Sequence, residues 1–489
     1  MNIHLSGRDT IRGGKDISMK AAAVMQFVSK YASMGVQLVV TAVLARLVSP
    51  EAYGLMAIVT VFTTFFSMFA DMGVGVAIVQ FRKLEERDFG SLFAFSMILG
   101  VALSAVFCAM SLPISYVYGE DALVGLCAAA APSLLFSCMN MVPNGLMLRE
   151  RRFAAIGVRL VVASLVSGVV AIAAAALGMG AYALTLQAVL SSLVVLVWNV
   201  IARPIRQVNL RFMGTLRRIF SYSAWQFGFT LLNYFSRNLD NLVIGKVLGS
   251  GPLGYYNNAY KLTTYPMTAL SGVVASVIQP FMAEHQDDLG RMQYCFWRVE
   301  KFLSLVGAPI TAVMFCFSEE IVLLFYGDQW LESVPLLRVL SLSVYFQIVG
   351  NPSGAFYQSC GRTDYMFRSG LINTLIAIVG FCAGLVVGGL WGATLGVSLG
   401  YCLHIVTFCY YLLGKTLRIK LRELKRFLPE MTMAVVACGV CFALSPVLLA
   451  DLSIAIEVFV KAVLIALIFI AGYGMSGQFS YLGSLLKNK

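Results

Sequence analysis

Charge is what this sequence has least of. Only 12% of its 489 residues are Asp, Glu, Lys or Arg, where soluble domains carry about a quarter. With 59% apolar residues and a mean hydropathy of +0.82, the soluble classes are excluded and an integral membrane protein is implied. Two catalytic signatures are missing as well, the P-loop and H-E-x-x-H. The first nineteen residues hold Arg8, Arg12 and Lys15 without an apolar run, so no signal peptide is expected. Cys438 and Cys441 form a C-x-x-C, but inside an apolar run with no nearby His or further Cys. Packing is expected there rather than zinc or redox chemistry. Neither a cofactor nor a metal is implied, and the net charge of +12 does not imply nucleic-acid binding.

What is present is a series of apolar stretches, each about 20 residues or longer and so long enough to span a bilayer. They lie near 20–46, 53–80, 89–115, 121–146, 154–178, 181–202, 218–248, 254–281, 296–318, 333–357, 365–388, 390–413, 427–449 and 454–474. The expected fold is an all-α membrane protein of about fourteen helices. Most of the 36 basic residues fall in alternate connections, for example Arg149, Arg151 and Arg152, or Lys415 to Arg426. The intervening loops are acidic or neutral, such as Y-G-E-D (118–121) and Y-G-D-Q-W-L-E (326–332). The positive-inside rule then places both termini in the cytoplasm. No outer loop is long enough to form a catalytic domain. The expected organisation is a tail at 1–19, an N-lobe of six helices at 20–202 and a basic linker at 203–217. A C-lobe of six helices at 218–414, a basic loop at 415–426, two further helices at 427–474 and a tail at 475–489 complete it.

The two lobes carry the same signals. Gln226, Thr230, Asn233, Arg237 and Asn241 follow helical spacing and form one polar stripe on an apolar helix. Gln26, Lys30, Ser33, Gln37 and Thr41 repeat it at the same spacing. L-A-R-L-V-S-P-E-A-Y-G (44–54) aligns with I-G-K-V-L-G-S-G-P-L-G (244–254), placing Arg46 on Lys246 and Gly54 on Gly254. Y-V-Y-G-E (116–120) aligns with L-F-Y-G-D (324–328), and P-N-G (143–145) with P-S-G (352–354). Six helices per repeat give a parallel relation about an axis along the membrane normal. Two striped helices facing a wet cavity is the plan of a transporter. Gly384 with Gly388, and Gly392, Gly396 and Gly400, form small-residue ladders that suit close helix packing. Pro266, Pro280, Pro309 and Pro352 are candidate kinks.

A charge within the bilayer is expensive, about 2.5–3.5 kcal/mol on insertion scales, and marks function or pairing. The candidate substrate-contacting residues are Lys30, Gln37, Asn233, Arg237, Asp240, Asn241 and Lys261. Arg237 and Asp240 stand three apart and are able to pair on one face; the alternatives are a structural ion pair and a cavity-lining pair. Tyr256, Asn257 and Tyr260 beside Lys261 suit either sugar rings or an interfacial aromatic belt. Asp71 and Asp240 are the candidates for ion coupling, with a structural pairing of Asp71 and Lys30 as the alternative. His404 and Glu457 read as satisfied polar residues within spans. Glu300, Lys301, Arg159 and Arg338 read as interfacial.

Several segments resemble the polysaccharide transporter family of the MOP exporter superfamily, the flippases of lipopolysaccharide, capsule and teichuronic acid assembly. They are L-A-R-L-V-S-P-E-A-Y-G-L (44–55), D-M-G-V-G-V-A-I-V-Q (71–80), R-N-L-D-N-L-V-I-G-K-V-L-G with L-G-Y-Y-N-N-A-Y-K-L (237–262), and L-F-Y-G-D-Q-W with L-L-R-V-L (324–340). The resemblance implies two six-helix lobes around a central cavity, alternating access, and a substrate of oligosaccharide joined to polyprenyl pyrophosphate. Lys30, Arg237 and Lys261 would then suit the pyrophosphate or acidic sugars. Membrane lipids and other polysaccharide-assembly proteins are the further partners it implies. A drug or cation antiporter of the same architecture predicts an acidic cavity instead. A membrane glycan polymerase or ligase predicts a large catalytic loop.

Overall fold

The computed structural model describes residues 19–71, 75, 78–79, 81, 84–205, 208–209, 212, 234, 237–284, 288–444 and 454–478. Every regular element among them is helical. The first half comprises α1 (Met19–Leu47), α2 (Pro50–Asp71), α3 (Glu86–Tyr118), α4 (Ala122–Arg149), α5 (Phe153–Ala176) and α6 (Ala181–Ala202). The second comprises α7 (237–247), α8 (Ser250–Glu284), α9 (Leu289–Cys316), the short α10 (Ser318–Phe325), α11 (Ser333–Gly350), α12 (Ser353–Ser359) and α13 (Thr363–Thr407). Two more, α14 (Leu428–Leu444) and α15 (Ile454–Met475), follow. Eleven helices among the described residues are long and apolar enough to cross a membrane.

Local chemistry sets the helix ends. Ser49 caps α2, accepting from the Ala52 N–H at 3.4 Å, and Pro50 opens the helix where no N–H is needed. Glu85 and Asp88 make a reciprocal capping box at the start of α3, and Gly119 closes it at φ 71°. The expected span 333–357 is one membrane-length segment, Ser333–Ser359, within which α11 stops at Gly350 and α12 starts at Ser353, with Pro352 between them. Pro143, the repeat-equivalent proline, stays within an unbroken α4.

The spans expected at 365–388 and 390–413 are the two arms of α13. The chain reverses at Gly388 and Gly389, whose φ is 57°. The arms then pack glycine on glycine. A Cβ on Gly384 would lie 1.9 Å from the Gly392 carbonyl oxygen, and one on Gly396 would lie 2.0 Å from that of Gly380. Gly384, Gly392, Gly396 and Gly400 therefore serve close packing, as expected, whereas Gly388 belongs to the reversal and meets nothing.

Within the first half α3 packs on α4, α1 on α5, and α4 and α5 on α6. In the second half α11 packs on α8, α9 and α13, while α9 also carries α14 and α15. The halves meet along α2 and α8. Side chains on each half reach backbone carbonyls on the other. Tyr31 on α1 donates to the Ala269 carbonyl on α8, and Tyr234 donates to the Val61 carbonyl on α2. Arg46 Nη2 donates to the Leu324 carbonyl at 2.8 Å, and the equivalent Lys246 donates to the Val117 carbonyl. Trp330, fully buried, donates to the Ala45 carbonyl at 2.7 Å and adds to the contact between the halves at that end.

Candidate functional site

On α1 the stripe is one of two exposed faces. Lys30 and Gln37 are exposed on it, while Val28, Val39 and Val43 are exposed on roughly the opposite side. Between these faces α1 is clasped on both sides. Ser33 Oγ lies 3.0 Å from Ser164 Oγ on α5, and Tyr31 meets α8. Thr41, on the stripe, lies against Tyr265 of α8. The polar face of α1 is thus turned toward the second half, and the apolar face is left for lipid.

On α8, Lys261 stands one turn before Tyr265. It is exposed, and its ammonium stands 5.9 Å from the centre of the Tyr53 ring on α2. Among the described residues Lys261 has no carboxylate partner.

Arg237 opens into a cavity of about 400 Å³ whose other walls are α8, α11, α12 and α13. Tyr260, Gln347, Asn373, Tyr401 and His404 supply its polar surface. Tyr260 and Tyr401 share a hydroxyl contact of 2.8 Å beside Arg237. His404 Nε2 lies 3.3 Å from the Asn373 carbonyl, and Thr407 donates to the Asn373 side chain at 2.6 Å. His404 is therefore a satisfied polar residue that also lines a cavity.

Asp240 does not pair with Arg237 here. Tyr256 donates to its carboxylate at 2.7 Å and the Asn241 backbone N–H donates at 2.8 Å. Asn241, buried, accepts from Asn257 at 3.3 Å. The arginine is thus left facing the cavity while the carboxylate is held by tyrosine. Tyr256 and Tyr260 stack at 6.1 Å, so both belong to this network rather than to a surface belt. Asn233 and the Asp71 side chain lie outside the described residues.

Several other charges within the helices are paired. Lys461 bridges Glu320 at 2.6 Å and Glu457 at 2.7 Å. Lys301 meets Glu430 at 2.5 Å. Glu300 and Arg159, expected near the interface, are both buried within the protein, and neither meets an opposite charge among the described residues. Helix-end position alone cannot reveal that, because burial depends on which neighbour covers the end. Cys438 and Cys441 are free and buried, and no metal-binding cluster occurs among the described residues.

These features have counterparts in known proteins. The Polysaccharide biosynthesis protein family model matches residues 43–335. The chain is 26% identical over 381 residues to the lipopolysaccharide biosynthesis protein WzxC of Escherichia coli (strain K12), covering 76% of this chain and 75% of that protein. It is 26% identical over 392 residues to the teichuronic acid biosynthesis protein TuaB of Bacillus subtilis (strain 168), covering 77% and 80%. The fold matches the lipid II flippase MurJ in an inward closed conformation with a TM-score of 0.74 at 15% identity, covering 94% of this chain and all of that one. A two-lobed, multi-pass helical bundle with charges in its interior thus agrees with the matched sequence model: the chain belongs to the polysaccharide biosynthesis protein family of membrane transporters.

Proposed function

We propose that this chain carries a polyprenyl-pyrophosphate-linked oligosaccharide across the bacterial cytoplasmic membrane by alternating access. The products served would be lipopolysaccharide, capsule, exopolysaccharide or teichuronic acid. The observation that supports this reading is Arg237, a cation that lines the internal cavity without a carboxylate partner among the described residues, with Lys261 a second unpaired cation between the lobes. Such a lining attracts pyrophosphate or acidic sugars and repels the cations that an antiporter would bind. Tyr260 and Tyr401 offer flat apolar faces with hydroxyl edges, which suit sugar rings. Lys30 and Gln37 extend the polar lining along α1, with Asn233 and Asn241 on the opposing helix. Asp240, held by Tyr256, and Asp71 are the groups assigned to ion coupling.

The basic connections support cytoplasmic termini in this reading. The contact between the halves made by Arg46, Lys246 and Trp330 then lies at the outer end, and the described conformation is closed to the outside. A deletion strain tests the function. It is expected to accumulate a polyprenyl-pyrophosphate oligosaccharide on the inner leaflet, cleared by the restored gene. A strain with normal outer-leaflet intermediate and normal surface glycan overturns the reading.

A further inference from the structure

Arg159 on α5 is 6% exposed, inside the first half of a membrane protein, and no carboxylate touches it among the described residues. Its guanidinium is instead held by amides. Nη1 donates to Asn144 Oδ1 at 3.0 Å and to Asn199 Oδ1 at 2.7 Å. The Asn199 amide nitrogen in turn donates to Asn140 Oδ1 at 2.7 Å. Arg159 Nε is buried with no partner at all.

The direction of these bonds matters. Arginine only donates, so it turns both amide oxygens toward itself and both NH₂ groups away. Asn199 passes the same polarity to Asn140. The N–H groups left over are Arg159 Nε and the NH₂ groups of Asn140 and Asn144. A buried positive charge whose Nε lacks an acceptor, and which no carboxylate meets among the described residues, is costly to leave so. Joining α5 to α4 and α6 needs no charge, because a neutral amide trio makes the same bonds.

Depth indicates what the acceptor is. Arg159 lies six residues into α5 from Phe153, about 9 Å from that helix end at 1.5 Å per residue. Asn199 lies three residues before the end of α6, about 5 Å in. Both ends belong to the face with the basic connections. The polar zone on each side of a bilayer is roughly 5–8 Å thick, so the cluster lies just below lipid phosphates. Asn140 and Asn144 are only partly buried and leave the cluster accessible from α4.

We propose that Arg159, Asn140, Asn144 and Asn199 form an anion site for a phosphate-type group at the inner headgroup level, where the pyrophosphate of the lipid-linked substrate first docks. The lipid assignment rests on the proposed function; the anion site itself does not. The site is separate from the Arg237 cavity, which lies in the other half.

Purified full-length protein in detergent provides the test, read as thermal shift against inorganic pyrophosphate, farnesyl pyrophosphate and farnesol. Wild type is expected to be stabilised by both pyrophosphates, more tightly by the farnesyl form, and not by farnesol. Asn144→Asp supplies an internal acceptor of nearly the same shape. That variant is expected to melt no lower than wild type and to bind both pyrophosphates about tenfold more weakly or worse. Arg159→Gln is expected to lose the shift as well. Should Asn144→Asp fold normally and bind as wild type does, the site is overturned. If Arg159→Gln fails to fold, Asn144→Asp alone decides. Equal affinity for the two pyrophosphates, lost in Asn144→Asp, supports the anion site and overturns its assignment to lipid. Normal binding loss in a protein whose deletion leaves export intact overturns the proposed function while supporting the site.

Discussion

Gly54 on α2 and Gly254 on α8 occupy equivalent places in the two halves and lie against one another where those helices cross. A Cβ on Gly54 would stand 1.7 Å from the Ser250 carbonyl oxygen, and one on Gly254 would stand 2.0 Å from the Pro50 carbonyl oxygen. Ser250 and Pro50 are themselves equivalent in the repeat. Each glycine thus meets the counterpart of what the other meets, as at a twofold interface between identical subunits.

That reciprocity predicts matched behaviour. The obstructing atoms are backbone, so they cannot swing aside as a side chain would. Gly54→Ala and Gly254→Ala are each expected to force α2 and α8 apart, at about 1–3 kcal/mol or more of overpacking. Melting of the purified protein checks this. Two losses of similar size are expected, and a silent Gly254→Ala beside a damaging Gly54→Ala would contradict the symmetric crossing.

The reciprocal pairs Arg46 with Leu324 and Lys246 with Val117 join the two halves at one end of the bundle. If alternating access opens that end, both pairs separate in every cycle. Cysteines placed at either pair, in a variant without native thiols, are expected to be cross-linked by a short bifunctional thiol reagent with loss of export. A reducible linker is expected to restore export on reduction. Full export by the cross-linked protein would mean that this end stays shut during transport.

Much of this arrangement was legible because it depends on period and charge. The apolar runs, the matched glycines and the alternating basic loops each reflect local constraints of the bilayer. The glycine ladder of α13 was readable for the same reason, since close approach demands small residues at fixed spacing. Pairing was not readable. Arg237 and Asp240 are three residues apart, yet Tyr256 reaches Asp240 from the next helix and leaves the arginine free for the cavity. Nor was the Arg159 cluster readable, because Asn140, Asn144 and Asn199 come from two other helices. Which residue completes a polar group is set by packing between helices, and one sequence carries no period for that.

The two C-terminal helices are fixed to the second half by buried charge. Lys461 on α15 is 5% exposed and bonds both Glu320 and Glu457. Lys461→Ala removes the shared cation and leaves two carboxylates, one of them with an oxygen already lacking a partner. A loss of about 3–5 kcal/mol is expected, as when one member of a buried pair is deleted. Replacing all three charges together by leucine is expected to recover most of the stability. Melting in detergent is the measurement. A triple variant no better than Lys461→Ala would show that the ions hold α15 by more than mutual compensation.

Arg237 is where stability and transport are expected to separate. If Arg237 and Asp240 formed a buried ion pair, removing the arginine would strand the carboxylate and unfold the protein. Here Asp240 has its own donors, Tyr256 at 2.7 Å and the Asn241 N–H at 2.8 Å, and Arg237 faces an open cavity. Arg237→Gln is therefore expected to change stability by no more than about 0.5 kcal/mol, as for a group without fixed partners. Export of the lipid-linked glycan is expected to fall sharply in that same protein. Arg237→Lys is expected to restore it only in part, because an ammonium cannot reproduce the two-pronged contact of a guanidinium with a phosphate. Tyr256→Phe is expected to do the reverse, costing about 1–3 kcal/mol by leaving the buried carboxylate short of a donor. Surface glycan at matched protein level, measured beside the melting temperature, separates the two effects. Normal export by Arg237→Gln would remove this residue from the substrate path.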